Sequence, residues 1–368
     1  MISLYKCIKK FIHSLYSKSL QGQNLKRANK LVNLVYGIIK SNASNLSKIA
    51  SEMKGFQKFA SKVKGVKRWI LSKYNSYNTH YQSFIVVLLK ALYRRSKKLG
   101  IPLTFAIDGS VTGDECLTLM ISVVFKNRSL PVRWIVRKGK KGHFPEQMHV
   151  DLMKQFHKVI PTEIPPNQIV ILGDGEFDGV ELQQTCQAFK YKYVFRTAKN
   201  IWIYPEEGEA FQLKNIALDE HTECLFFEDV AFTQKKLPHV NVGYYHLKSY
   251  KNPLFLVSNL EDMAVIEQLY DKRFLIETFF SDVKSRGFNL QKSKLDEPLR
   301  VHRLLIALCL AYIFTIQQAL QAFIRKCEEQ VSFKDKNEAS LFTIGRRMIN
   351  FCVANHIKIR FSISLFVT

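Results

Sequence analysis

Two hydrophobic rhythms divide the chain. Up to about residue 95, apolar positions recur every three to four residues, the period of helices packed on one face. Arg27–Lys40 carries that period, Ser41 and Asn42 break it, and Ser44 or Asn45 can cap a second helix reaching Met53. Gly55 breaks the pattern again, and Phe59–Tyr74 and Ser83–Arg94 read as two more helices. From Ile101 the period shortens to that of strands. Leu103–Asp108 is an apolar run closed by an aspartate, and Cys116–Phe125 and Val132–Val136 follow at hairpin spacing around Asn127-Arg-Ser. Glu146–Val159 is helical, 161–166 is a linker, and Gln168–Asp174 is a second buried run closed by an aspartate. Gly179–Phe189 reads as a helix and Tyr193–Arg196 as a strand.

Three strands, helix, strand, helix, strand is the order of a ribonuclease-H-like α/β fold, a mixed sheet with helices on both faces. Residues 197–252, with clustered acids and short alternating runs, read as a β-rich insertion, and Leu254–Ser258 returns to a buried strand. Tyr270–Lys284 predicts an amphipathic helix and Arg300–Arg325 a long, largely buried one. Its longest apolar run, Leu304–Ile316, has 13 residues, short for a membrane span. A polar linker over Glu328–Glu338, a helix over Ser340–Val353 and a β-like tail complete the chain. The expected organisation is an all-α basic DNA-binding domain over 1–98 and a catalytic core over 99–197. The β-rich insertion spans 198–252, the core resumes over 253–328, and a C-terminal helix and tail cover 329–368.

Charge sharpens the picture of the N-terminal part. Of a net charge of +24, a surplus of twenty lies in residues 1–98, where 21 Lys or Arg face the single acid Glu52. Such a segment repels itself unless a polyanion is its partner, and nucleic acid is the usual one; an anionic membrane surface is the competitor. Its short helices resemble a helix-turn-helix array, or a basic bundle gripping backbone phosphates without reading bases. Lys62, Lys64, Lys67 and Arg68 are its densest cluster. The seven cysteines are scattered without Cys-x-x-Cys pairs, which argues against zinc and against a disulfide framework. That usage, and an N-terminus without a signal-peptide pattern, predict a cytoplasmic protein.

Candidate chemistry gathers around Tyr270–Lys284. On a helix, Tyr270, Glu277 and Lys284 are seven apart and share a stripe with Arg273. A carboxylate between cations is either a solvated ion-paired face or part of a metal-dependent phosphoryl-transfer site. Asp108 and Asp174 favour the second. Functional groups of open α/β sheets collect at strand ends, and three converging carboxylates repel until divalent cations relieve them. Hard carboxylate ligands favour Mg²⁺ or Mn²⁺. Glu176 and Asp178 read as helix-start charges, Asp282 as solvated, His143 and His149 as exposed, Trp202 as core, and Lys138–Lys141 as a phosphate loop or a solvated run.

Tyr270-x2-Arg273-x3-Glu277-x6-Lys284 resembles the Y-R-E-K signature of the insertion-sequence-four branch of bacterial DDE transposases. Phe105–Ser110, Ile171–Phe177, Leu256–Leu260 and Lys284–Leu290 are similar to that family's flanking blocks, over about residues 100–325. The resemblance implies Asp108, Asp174 and Glu277 as the catalytic, metal-binding triad with two Mg²⁺ ions (Mn²⁺ substituting). It implies Tyr270, Arg273 and Lys284 as contacts to transposon-end phosphates. It further implies inverted repeats and target DNA as double-stranded partners, a homodimer on paired ends, and a nucleoid-associated bacterial protein without a membrane partner. In one respect the chain departs from the family. Some relatives carry a tryptophan that stacks on a flipped base during hairpin formation, and none stands around Leu254 here.

Overall fold

The structure, a computed structural model, describes residues 3–16, 20–140, 143–216, 224–245, 253–332 and 339–367. Six helices open the chain: α1 (Leu4–His13), α2 (Gly22–Ser41), α3 (Leu46–Glu52), α4 (Phe59–Leu71), α5 (Tyr77–His80) and α6 (Gln82–Leu99). The cap expected before α3 is Asn45, whose side chain accepts from the amides of Ser47 and Lys48. Helix α1 was hidden from the pattern because Lys6, Lys9 and Lys10 interrupt its apolar positions. Wound into a helix, Leu4, Cys7, Ile8, Phe11 and Ile12 fall on one buried face.

The sheet begins with β1 (Leu103–Gly113), β2 (Cys116–Phe125) and β3 (Arg128–Lys138), an antiparallel meander whose third strand is longer than its apolar centre. After α7 (Glu146–His157), β4 (Ile169–Gly173) pairs parallel to β1; after α8 (Val180–Ala188), β5 (Lys192–Thr197) pairs parallel to β4. The insertion contributes β6 (Trp202–Tyr204), β7 (Phe211–Gln212), β8 (Cys224–Phe232) and β9 (Leu237–Tyr245). It is β-rich, and its strands extend the core sheet: β10 (Leu254–Ser258) pairs antiparallel with both β5 and β9. The result is one ten-stranded mixed sheet, ordered β3-β2-β1-β4-β5-β10-β9-β8-β6-β7. A mixed sheet with helices packed on it is compatible with a ribonuclease-H-like domain.

The last helices are α9 (Met263–Tyr270), α10 (Leu275–Ser281), α11 (Pro298–Ile324) and α12 (Leu341–Ala354). Helix α11 has 27 residues and would be long and apolar enough to cross a membrane by length and composition, yet every residue from Leu304 to Ala322 is buried within the protein. It packs against α2, α4, α12 and β3, so the basic N-terminal helices share one hydrophobic core with the sheet domain. Each large apolar side chain withdrawn from water there contributes roughly 1.5–3 kcal/mol. The linker around 328–338 lies partly outside the described residues. The tail is not β: after Ala354 the chain is irregular and closes in a 3₁₀ turn over Ile363–Phe366. Phe366 there is buried edge-on against Phe125, an anchor that a side-chain contact supplies without a strand partner.

Candidate active site

The register of β1 against β4 places the two aspartates. Parallel pairing ends at Ala106–Leu172, and Asp108 and Asp174 each follow by two residues. Paired residues of parallel strands point to the same face, and a step of two preserves the face. Both carboxylates therefore lie on one face of neighbouring strands. Asp174 leaves the sheet directly after β4, whereas β1 runs on to Gly113, paired with β2. Asp108 is thus not a strand end; it marks where β1 parts from β4. The turn after β4 fixes Asp174: its Oδ1 accepts the Glu176 amide at 3.0 Å, and its carbonyl accepts the Phe177 amide at 3.0 Å. Asp108 Oδ1 accepts the Gly109 amide at 2.7 Å. Burial, then the Asp174 charge, push the Asp108 carboxyl up to about 7; the Gly109 amide and Arg273 pull it down, and Glu277 adds to the push. The three acids and the arginine thus share one electrostatic neighbourhood.

The expected continuous helix over Tyr270–Lys284 is broken. Helix α9 ends at Tyr270, and tight turns follow in which the amides of Lys272, Arg273, Leu275 and Glu277 bond three residues back. Helix α10 then runs into a π-helical turn over Asp282–Arg286. This overwinding followed by underwinding separates side chains that an ideal helix would align. Tyr270, 6% exposed, packs with Leu172, Val194, Leu256 and Leu269 instead of facing solvent. Arg273 donates to Glu277 Oε1 at 2.8 Å, and the Glu277 side chain is 56% exposed. Lys284 Nζ donates to Ser110 Oγ at 3.0 Å, two residues beyond Asp108. Burial pulls the Lys284 ammonium down, against the opposing pull of Asp108.

Asp108 and Asp174 suit a hard divalent cation: two neighbouring oxygen donors, one of them driven toward protonation by burial and by the other's charge. Among the described residues no group of three His, Cys, Asp or Glu stands ready to hold an ion. Glu277 is turned onto Arg273 instead. Beside Asp174 opens a cleft of about 540 Å³, lined by Gly175, Arg196, Thr197, Lys199 and Phe255 at the carboxyl ends of β4 and β5.

Several supporting residues were not legible as such. Glu176 is not a helix-start charge, since α8 begins at Val180. It accepts the Phe144 amide and faces His143 Nδ1 at 3.3 Å and His149 Nε2 at 3.5 Å. Burial raises its pKa, but the histidines and the amide outweigh that, and the net shift is downward. Glu176 so clamps Phe144 over Gly109, where a β-carbon would strike the ring. His143 is exposed as expected, whereas His149 is buried on α7. Asp178 accepts the Thr197 hydroxyl at 2.7 Å. Asp282 is buried rather than solvated; burial lifts its carboxyl to about 6 against Arg128, Arg286 and Arg346. Trp202 is only half-buried, on an outer strand of the insertion. Lys138 and Lys140 face Glu115 at 3.8 and 2.8 Å, and Lys141 lies outside the described residues. On α4, Lys64, Lys67 and Arg68 are exposed, while Lys62 Nζ donates to the Met53 carbonyl at 2.6 Å. Lys67 lines a cleft with Lys294, and Lys294 lines a second one with Val111 and Gly113 of β1.

A mixed sheet with acids clustered where two parallel strands part makes this an α/β protein compatible with a ribonuclease-H-like domain. Residues 102–314, more than half of the chain, match the family described as transposase DDE domain, and the protein belongs to the DDE transposases. That family implies DNA as partner and DNA cleavage and joining as activity. No curated protein matches the chain.

Proposed function

We propose that this protein is a cut-and-paste transposase of the Y-R-E-K branch, acting on the terminal inverted repeats of a bacterial insertion sequence. The observation that carries the proposal is the meeting of Asp108, Asp174, Arg273 and Glu277 in one electrostatic neighbourhood, where burial first and then the Asp174 charge lift Asp108 to about 7 against the pull of Arg273. Asp108, Asp174 and Glu277 would hold two Mg²⁺ ions, or Mn²⁺, which when bound activate the attacking oxygen and stabilise the leaving one. With Asp108 deprotonated and Glu277 turned from Arg273, the three carboxylates would present oxygen donors to the ions. Arg273 is then released to a phosphate of the transposon end, and Lys284, held by Ser110, neutralises another. Tyr270 props this segment from beneath through its buried ring.

Chemistry proceeds without a protein–DNA covalent bond. Water attacks phosphorus at the element end and expels a 3′-hydroxyl, and that hydroxyl attacks a phosphodiester of target DNA, expelling a 3′-hydroxyl of the target strand. Lys64, Lys67 and Arg68 supply the end-binding surface, with Lys62 bracing α4. Lys294 lines the cleft beside Lys67, whereas the next cleft toward β1 sets Lys140 and Lys294 among Asp114, Glu115 and Asp296. Pairing of two ends calls for a dimer, and the cytoplasmic nucleoid is the place of action.

The test is incubation of the protein with labelled duplexes from the DNA flanking its gene, Mg²⁺ and a target plasmid. Cleavage with strand transfer is expected. Cleavage alone would make the protein a nuclease, and binding alone a DNA-binding regulator.

A further inference from the structure

Between α3 and α4 the chain makes a short bend that carries the most exposed large side chain of the described residues. Phe56 is 110% exposed, more open than in an extended peptide, and Phe59 beside it is 54% exposed. A single exposed hydrophobic is ordinary, but Phe56 and Phe59 expose two rings on a bend within a strongly basic segment, where a partner could cover them. The bend is built to hold the ring out. Gly55 takes φ +115°, a conformation closed to other L-residues. Lys62 reaches back from α4 to the Met53 carbonyl at 2.6 Å, tying the start of the bend to the second helix.

The surroundings define the partner. Seven Lys or Arg and no acid occur between Met53 and Tyr74. A protein covering Phe56 would have to be strongly acidic, and a second copy of this chain, at +24, is the wrong sign. A nucleic-acid duplex offers phosphates to the lysines and a base stack to the ring. We propose that Phe56 is an apolar wedge that seats against a base step of duplex DNA lying along α4. Aromatic side chains used in this way unstack a step, and the surrounding cations hold the bent backbone. The inference rests on the DNA-binding reading of the N-terminal helices.

Fluorescence on duplexes tiled across the DNA flanking the gene, each with 2-aminopurine at one position, tests it with the full-length protein. Wild type is expected to brighten the probe at one step. Phe56→Ala should abolish that signal and weaken binding at least about fivefold, the lower end of what stacking on a base contributes. Phe56→Trp should restore both. The salt dependence of binding should not change in Phe56→Ala, whereas Lys64→Ala should flatten it. The substitution lies outside the core, and an unchanged melting temperature will confirm folding. If Phe56→Ala binds and brightens the probe as wild type does, the wedge is wrong while the DNA-binding reading stands. If wild type binds no duplex, both fall. If Phe56→Ala changes the sedimentation mass of the DNA-free protein, the ring belongs to a self-association face and the wedge is refuted.

Discussion

Asp108 and Asp174 stand at matching positions of neighbouring parallel strands, each two residues past the Ala106–Leu172 pair. Strands in a ladder are about 4.8 Å apart, so two carboxylates at such positions repel strongly when both are ionised. Burial first, and then this repulsion, raise Asp108 to about 7 against an ordinary value near 3.8, so the fold favours its protonated form. For an acid raised on folding, the native state keeps a proton that the unfolded chain releases. Stability from Asp108 is thus present below about pH 4 and lost as pH rises toward about 7, on the order of 4 kcal/mol in all. In EDTA, urea denaturation should show the protein losing stability across that window. Mg²⁺ should restore it above pH 7, and Asp108→Asn should abolish most of the pH slope. An unchanged slope in Asp108→Asn would assign the titration to another group.

Loss of the clamp beneath the site should reduce activity without touching the acids. Glu176→Gln keeps an acceptor for the Phe144 amide and removes the charge that faces His143 and His149. Hydrogen bonds to charged groups contribute about 1.5–3 kcal/mol, so a stability loss of about 2 kcal/mol is expected. Because the Glu176 pKa is lowered on folding, its contribution is present above the unfolded value near 4.5 and is lost as pH falls through the lower folded value. The wild-type and Glu176→Gln denaturation midpoints should therefore converge in acid. Midpoints that stay apart at pH 3 would show that the charge is not what matters.

The strands were legible in the chain and the site's scaffolding was not, for a physical reason. Short continuous runs of Val, Ile, Leu and Phe between turns announce themselves locally, so β1, β2, β4, β5 and β10 emerged near their observed positions. What failed depended on contacts distant in sequence. Glu176 meets Phe144 across 32 residues, and Asp282 meets Arg128 across the sheet domain. Composition alone could not tell either acid from a solvated charge. The break after Tyr270 was also invisible: the segment has helical residues throughout, and the turns exist because Tyr270 is drawn into one core while Phe279 enters another.

The closest helix approach makes a separate test of the core. At Gly345 on α12, a β-carbon would strike the Thr315 carbonyl of α11. Backbone cannot move aside as a flexible side chain would. Gly345→Ala should cost about 1–3 kcal/mol, read as a lowered denaturation midpoint, although alanine is the better helix former. A stabilised Gly345→Ala protein would mean that α11 and α12 lie farther apart than described.

Arg273 and Glu277 make the sharpest test of the mechanism, because each acts through the other. The two are paired at 2.8 Å, and the guanidinium also steadies Asp108. If Glu277 is a metal ligand and Arg273 a phosphate grip, their substitutions must diverge. Glu277→Ala should weaken Mg²⁺ binding and abolish cleavage while leaving DNA affinity within a few-fold. Arg273→Ala should leave a carboxylate free for the ion, so Mg²⁺ binding survives, while cleavage falls about 10²–10³-fold for want of charge at the phosphate. Arg273→Lys should recover only part of that loss, since an ammonium lacks the planar fork that grips two oxygens at once. Calorimetry with Mg²⁺ alone separates the two roles from the cleavage assay. If Arg273→Ala lowers Mg²⁺ affinity as far as Glu277→Ala does, the pair is a single structural ion bridge and the division of roles is wrong.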